Sequence, residues 1–432
     1  MTTVHEKIIF NNKNIKVNNK GGDLTGDAGL IAINEFMLKL RLDKVIGKYL
    51  HIGDSRRSPK HKYLTIFKQM VFQTIAGYKY DVAANSLRQD KIFQTILGQD
   101  TLASQPTISR FIAKFNSQNI IELETIINKL ANVLFKNTNQ QEQIIDLDST
   151  HFDTYGHQEK SNYNAHYQTN GYHPLIAFES LSGQLLGVKL RPGNKYTSNG
   201  AADFMRPIFN NLKQYSCDPN ILVRGDSGFA TPELYQLCDE QKSNFVIKLK
   251  ANHLLSKLAE QHVVYGGITV SDTDTQYYEL DYQPDTWNRR YRVVMKATKS
   301  TDELLFKSYE FLVTNLQELN IEDLFNIYNQ RGVAENYIKE IKNGFFLDKT
   351  DSHSYNNNEV HMLINAIAYS IVQSFKQLAL TSGEVSVATL RFKLLHIPAR
   401  IIHHARNLYI QLSSTNVFDN LFWQTLYRVQ KL

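Results

Sequence analysis

Between residue 29 and about residue 130, apolar side chains recur every three or four positions. Leu38, Leu40, Val45 and Ile46 form one group, and Leu64, Phe67, Met70, Val71 and Ile75 another, so this stretch predicts an all-α region. Within it, Ser104-Gln-Pro-Thr-Ile-Ser-Arg-Phe-Ile-Ala-Lys-Phe places a capping hydroxyl and a proline at a helix start, followed by Arg110 and Lys114. That pattern suits the recognition helix of a helix-turn-helix, and it suits equally any capped amphipathic helix with two cations. The polar run 137–143 ends the helical pattern, and short β-type runs follow at 143–148, 174–179 and 184–190, the last two joined by a hairpin-like Ser180-Leu-Ser-Gly. A helix over 201–212, a strand over 221–224, a helix opened by Thr231-Pro232-Glu233 and a strand over 245–249 complete a mixed α/β pattern, which implies a sheet covered by helices. Residues 253–312 break it with further β-type runs at 276–282 and 291–297, predicting an inserted β-rich subdomain. A strand over 311–314, a long helix over 321–342, an apolar helix over 359–380 and a basic helical tail with Arg391, Lys393, Arg400, His403, His404 and Arg406 close the pattern. The domains expected are 1–135 (helical), 136–252 and 313–385 (two parts of one α/β domain), 253–312 (β-rich insertion) and 386–432 (helical).

Composition narrows the classes. With 432 residues and 42% hydrophobic content the chain can bury a large core, and no apolar run approaches the roughly 20 residues that span a bilayer. Its N-terminus is Asn/Lys-rich and unlike a signal peptide, so an intracellular location is expected. Cys217 and Cys238 are too few for a disulfide framework or a cysteine-based zinc site, and both are expected to be buried. His151, His157 and His166, spaced by six and nine, lack a second ligand cluster and do not form a zinc pattern. The net charge of +6 is unevenly spread: residues 1–120 hold 18 Lys and Arg against 9 Asp and Glu, which leaves the remainder slightly acidic. A basic excess confined to one third of a chain suits a polyanion-binding module.

Three acidic positions stand out. Asp148 ends the apolar run Ile144-Ile145-Asp146-Leu147-Asp148, and Asp226 directly follows Ile221-Leu222-Val223-Arg224-Gly225. Carboxylates at neighbouring strand ends can converge, and a hard divalent cation relieves their repulsion; the same positions also suit helix caps. Tyr328, Arg331, Glu335 and Lys342 are spaced by three, four and seven residues, which places them on one face of a helix. Arg331 ahead of Glu335 is the weaker order for a surface pair, and Gly332 weakens the helix interior, so an idle surface explains this face poorly. Asp146 lies on the same side of its strand as Asp148, either as a partner to the site or as a buried or edge acid.

The spacing Tyr328-x2-Arg331-x3-Glu335-x6-Lys342 resembles the Y-R-E-K signature of the insertion-sequence DDE transposases, without departure. Asp148-Ser149-Thr150 is similar to the first catalytic Asp of that family, and Arg224-Gly225-Asp226-Ser227-Gly228-Phe229 to the second. The resemblance covers about residues 140–345. It implies an α/β fold with an RNase H-like mixed-sheet catalytic domain interrupted by the β-rich insertion, an all-α N-terminal domain and a helical C-terminal tail. It further implies that Asp148, Asp226 and Glu335 hold two Mg²⁺ ions, with Mn²⁺ as a substitute, and that one site both cuts and joins DNA. Tyr328, Arg331 and Lys342 would contact phosphates. Arg110 and Lys114 belong to the expected DNA-binding set, as do Arg191 and Lys195 in the loop Arg191-Pro-Gly-Asn-Lys195, which is equally a plain hairpin exit. Trp287 with Arg289 and Arg290 would stack on an unpaired base, or Trp287 is a core residue. The implied partners are double-stranded transposon ends and target DNA, bridged by a homodimer in the cytoplasm at the nucleoid, with no membrane and no small-molecule substrate. An RNase H-like nuclease or resolvase, a catalytically idle DNA-binding regulator and a small-molecule metallophosphatase are the competing functions.

Overall fold

The computed structural model describes residues 6–9, 12–215, 220–262, 274–299, 307–381 and 385–432. It divides into two compact units, one of Met1–Leu123, Gly344–Phe346 and Ile367–Leu432, the other of Glu124–Asn343 and Leu347–Ala366. No helix among the described residues is long and apolar enough to cross a membrane. Cys238 is buried, and Cys217 lies outside the described residues.

The second unit is built on one eight-stranded mixed sheet. Its strands are β1 (Glu142–Ser149), β2 (Leu175–Glu179), β3 (Gln184–Lys189), β4 (Asn220–Gly225), β5 (Asn244–Leu249), β6 (Asp274–Leu280), β7 (Arg292–Lys299) and β8 (Lys307–Thr314). They lie in the order β6-β7-β8-β5-β4-β1-β2-β3, with β4 parallel to both β1 and β5 and every other pairing antiparallel. Near-continuous apolar runs make these strands: β2 is buried at all five positions and β3 at five of six, as expected of strands covered on both faces.

The expected β-rich insertion takes a different form. Residues 253–262 are helical, and β6 and β7 extend the main sheet beyond β8 instead of forming a body of their own. Successive side chains on β7 point to opposite faces, and Val293, Val294 and Met295 are all buried, so this strand is covered on both faces as well as paired on both edges.

Helices α1 (Ala201–Tyr215), α2 (Pro232–Glu240), α3 (Ile321–Asn329) and α4 (Val333–Phe345) accompany the sheet. Leu324 and Phe325 of α3 pack against Val246, Val294 and Leu312 in one cluster. Asn320 caps α3 by accepting the Glu322 N–H at 3.2 Å, and Glu322 and Asp323 favour its positive end. The single helix expected over 321–342 is interrupted, since a 3₁₀ turn at Gln330–Gly332 separates α3 from α4. Gly332, weak in a helix interior, sits at the break.

The first unit carries the helices Leu30–Lys39, Leu42–Tyr49, Tyr63–Ala76, Lys91–Leu97 and Gln105–Ile112, preceded by a hairpin of Glu6–Ile9 and Asn12–Asn18. Its C-terminal part corrects the helical tail. Residues Ala399–His404 and Asn407–Leu412 pair as an antiparallel hairpin that takes Leu24–Thr25 as a third strand, and helix Asp419–Lys431 follows. Period-two alternation governs the start of the hairpin: Ala399 and Ile401 are buried while Arg400 between them faces water, and Ala405, at φ 55°, turns the chain. Arg391 is no surface cation either. It is buried and donates to the carbonyls of Thr74 and Ile75 (2.8 Å each) at the end of helix Tyr63–Ala76, and to Gly344 O at 2.7 Å.

Candidate active site

Parallel register brings two of the three acids together. Arg224 of β4 lies opposite Asp146 of β1 and Gly225 opposite Leu147, so Asp226 emerges alongside Asp148 where both strands end. Asp226 then caps the short 3₁₀ turn Ser227–Phe229 by accepting the Gly228 N–H at 2.9 Å. A Cβ on Gly228 would stand 2.8 Å from the Thr197 side chain and 3.0 Å from the Asp226 carboxylate, which accounts for glycine there. Asp148 accepts the Ser149 N–H at 2.8 Å on one oxygen and the Arg331 guanidinium at 2.7 Å on the other.

Glu335 lies in the first turn of α4 and is exposed, Arg331 sits in the 3₁₀ turn before it, and Tyr328 in the last turn of α3. Burial pushes the Asp148 carboxyl up to about 6; Arg331 and the Ser149 N–H oppose this, and repulsion from Asp226 and Glu335 adds to it. Burial also raises the Tyr328 phenol, with Arg331 opposing and Asp226 reinforcing. These couplings place Asp148, Asp226, Glu335, Arg331 and Tyr328 in one electrostatic neighbourhood. Lys342, on the same helical face, donates to the His151 carbonyl at 2.8 Å, three residues beyond Asp148.

As donors the three acids suit a hard divalent cation, being all carboxylate, and their mutual repulsion is what such an ion relieves. In the arrangement observed, Arg331 supplies the positive charge against Asp148. Among the described residues no three acidic, histidine or cysteine side chains are gathered closely enough to enclose an ion.

Two site features needed the structure: Tyr167, which carried no signal in the sequence, and the partner of Asp146. Tyr167 follows the first acid by nineteen residues, in the turn between the paired strands Asn162–Asn164 and Thr169–Tyr172, and its ring stacks on His151 with 4.8 Å between centroids. Burial raises its pKa, and the charges of Asp148 and Asp226 raise it further. The second feature is the pairing of Asp146 with Arg224, both sealed from water. Only the shared two-residue offset ahead of Asp148 and Asp226 hinted at it.

The remaining expected residues are scattered. Trp287 is buried among Tyr235, Tyr282 and Tyr291 at centroid distances of 5.6–5.7 Å, as a core aromatic. Its neighbour Arg289 is exposed and pairs with Asp239 at 3.4 Å, and the exposed Arg290 pairs with Asp281. Arg191 is buried, and it donates to the carbonyls of His173 (2.8 Å), Tyr196 (3.0 Å), Thr197 (3.2 Å) and Asn199 (2.7 Å), so it staples its own loop. Lys195 faces solvent. In the first unit, Arg110 and Lys114 line a cleft of about 450 Å³ together with Arg56, Lys60, His61 and Arg88; Arg56 is itself held by Asp54, to whose two oxygens it donates at 2.7 and 2.6 Å. The Arg56 guanidinium lies 4.2 Å over the Tyr63 ring.

Residues 7–432 match the family model described as transposase DDE domain group 1. No curated protein matches the sequence. Among solved structures, the piggyBac transposase synaptic complex with hairpin DNA is 12% identical over 86% of this chain and 80% of that one, with a TM-score of 0.45. The Mos1 transposase paired-end complex with left transposon end is 9% identical over 45% of this chain and 62% of that one, at 0.19. A Mos1 mariner paired-end complex with Mn is 10% identical over 52% and 83%, also at 0.19. Superpositions this loose transfer no site geometry, whereas the family match runs over nearly the whole sequence: the chain belongs to the DDE-domain transposases of group 1.

Proposed function

We propose that this protein is an active transposase, which binds the terminal inverted repeats of its own element and catalyses DNA cleavage and strand transfer by in-line phosphoryl transfer. The observation that carries this is the meeting of Asp148 and Asp226 at adjacent strand ends beside the helix of Glu335, inside a chain of the DDE family. The RNase H-like reading is supported by the five strands from the β3 edge inward, β3-β2-β1-β4-β5, whose first three alternate in direction and whose last three run parallel.

Asp148, Asp226 and Glu335 would hold the Mg²⁺ ions, with Mn²⁺ as a substitute. Bound there, the ions supply Lewis acidity at the scissile phosphate and activate the attacking oxygen. The protein's own contribution is charge and position. Arg331 donates to Asp148, and its planar fork is also suited to two phosphate oxygens. The Tyr328 phenol, held neutral by its surroundings, is a donor, and Lys342 lies on the same face as a point charge. The cleft lined by Arg56, Lys60, Arg88, Arg110 and Lys114 provides the cations that a DNA backbone needs. The working form is a homodimer holding two ends at the nucleoid.

The test is to incubate the full chain with a pre-cleaved element end, target plasmid and Mg²⁺. Joined product is expected from the wild type and none from Glu335→Gln. Digestion without joining would make the protein a nuclease, and end binding without cutting would make it a regulator.

A further inference from the structure

We infer that Arg224 is a positioning residue for the acidic site, locking the two Asp-bearing strands to the helices that carry Arg331 and Glu335. The inference rests on the function proposed above. Arg224 is 1% exposed and Asp146 0%. The guanidinium makes four hydrogen bonds to three different segments. Its Nε and Nη2 donate to the two Asp146 oxygens at 2.7 and 2.8 Å, Nη2 also to Ser180 Oγ at 2.7 Å, and Nη1 to the Ile327 carbonyl at 2.6 Å.

What these partners adjoin gives the network its meaning. Asp146 and Arg224 face each other in register on β1 and β4, and each is two residues before an acid of the site. Because side chains alternate along a strand, the ion pair projects from the same sheet face as Asp148 and Asp226, roughly 7 Å below them. Ile327 precedes Tyr328 in the last turn of α3. Ser180 belongs to the turn between β2 and β3, and its carbonyl accepts the hydroxyl of Tyr337, which lies two residues after Glu335 on α4. Arg224 therefore reaches both sides of the 3₁₀ break that holds Arg331, directly on α3 and through Ser180 and Tyr337 on α4.

A pair that only filled space here would be replaceable, since apolar residues of similar volume are often neutral or stabilising in place of a buried ion pair. Methyl groups cannot reproduce directional bonds to a helix carbonyl, a hydroxyl and a neighbouring strand at once. The guanidinium fork can, because its donors lie in one rigid plane.

The experiment separates packing from positioning. Asp146→Leu/Arg224→Met removes charge and direction while keeping bulk, and Arg224→Lys keeps the charge but cannot serve Asp146, Ser180 and Ile327 together. For the double variant, the expectation is an unchanged or higher melting temperature and unchanged binding of end DNA in EDTA. Single-turnover cleavage should fall roughly 100-fold, and Mn²⁺ affinity measured by calorimetry on the full chain roughly 10-fold. Arg224→Lys, which covers the case of a double variant that does not fold, should lose kcat about 10-fold at unchanged KM for DNA. Wild-type cleavage and Mn²⁺ affinity in either variant overturn the positioning role. A wild type that binds Mn²⁺ without cutting DNA overturns the proposed function instead, and the positioning role then stands or falls on the Mn²⁺ affinities alone.

Discussion

Two aspartates two residues apart on β1 each pair with an arginine from elsewhere in the fold, and the two pairs are built for opposite purposes. Asp146 and Arg224 are closed to water, and the arginine makes two bonds to its carboxylate plus two more to a hydroxyl and a carbonyl. Asp148 and Arg331 keep 14% and 12% of their side-chain surface, meet through a single 2.7 Å bond, and leave Arg331 Nε buried without a partner. The inner pair is saturated; breaking it leaves a buried charge with nothing to replace what it lost. The outer pair is unsaturated and faces Asp226 and Glu335, so each of its members has somewhere else to go. Burial alone does not distinguish a structural ion pair from a working one; the number of unmet hydrogen bonds does.

The contrast breaks most sharply by mutating one aspartate at a time. Asp148→Asn should lower DNA cleavage roughly 10⁴-fold while costing less stability than removal of Arg224, because the Arg331 left behind still faces Asp226, measured by single-turnover cleavage and by urea unfolding. A large loss of stability, or retained cleavage, would make the outer pair structural. Arg224→Met should do the reverse to the fold, costing about 3–5 kcal/mol because Asp146 stays buried without its partner. The sign with pH follows: an unpaired buried carboxylate has its folded pKa raised, so the variant binds an extra proton when folded and its deficit shrinks as pH falls. Urea midpoints at pH 8 and pH 5 should therefore lie closer to wild type at pH 5.

How much of this was written in the sequence depends on whether the signal is local. The strands ending in Asp148 and Asp226 are short apolar runs, and the Tyr328–Lys342 face is a helical spacing, so both were legible from neighbouring residues alone. The inner pair was not, because the register of β4 on β1 is set by long-range pairing; Asp146 read equally well as an edge acid. Trp287 and Arg191 were ambiguous for a related reason, since whether a ring or guanidinium faces water depends on what folds over it. The C-terminal hairpin is hard to read because its basic residues suit a helical face as well, although Ala399, Ile401, Leu408, Ile410 and Leu412 follow a two-residue period. Helix α4 needed the break at Gly332 to place Glu335 in a first turn, and a lone glycine in a helical pattern marks such a break only weakly.

A third acid shows what the inner pair would be without its arginine. Glu359, on helix Tyr355–Ala379, is half-buried, and burial pushes its carboxyl up to about 7, with Glu124 adding repulsion and Lys160 and Lys189 opposing. Burial raises Glu124 as well, with only Lys189 against it. Among the described residues, lysines at a distance are what oppose these shifts, Lys160 and Lys189 for Glu359 and Lys189 for Glu124. The folded pKa of Glu359 stands above the usual glutamate value, so the native state holds a proton that the unfolded chain has released, and stability falls as pH rises from about 4.5 to about 7. Glu359→Gln stays neutral throughout. It should match the wild type near pH 4 and exceed it at pH 8 by about 1 kcal/mol, a figure held well below the full shift because water screens a half-exposed group. In a protein of this size that is roughly 1–2 °C of melting temperature, read from thermal scans at the two pH values. A difference that stays constant with pH, or favours the wild type at pH 8, would mean that Lys160 and Lys189 already do for Glu359 what Arg224 does for Asp146.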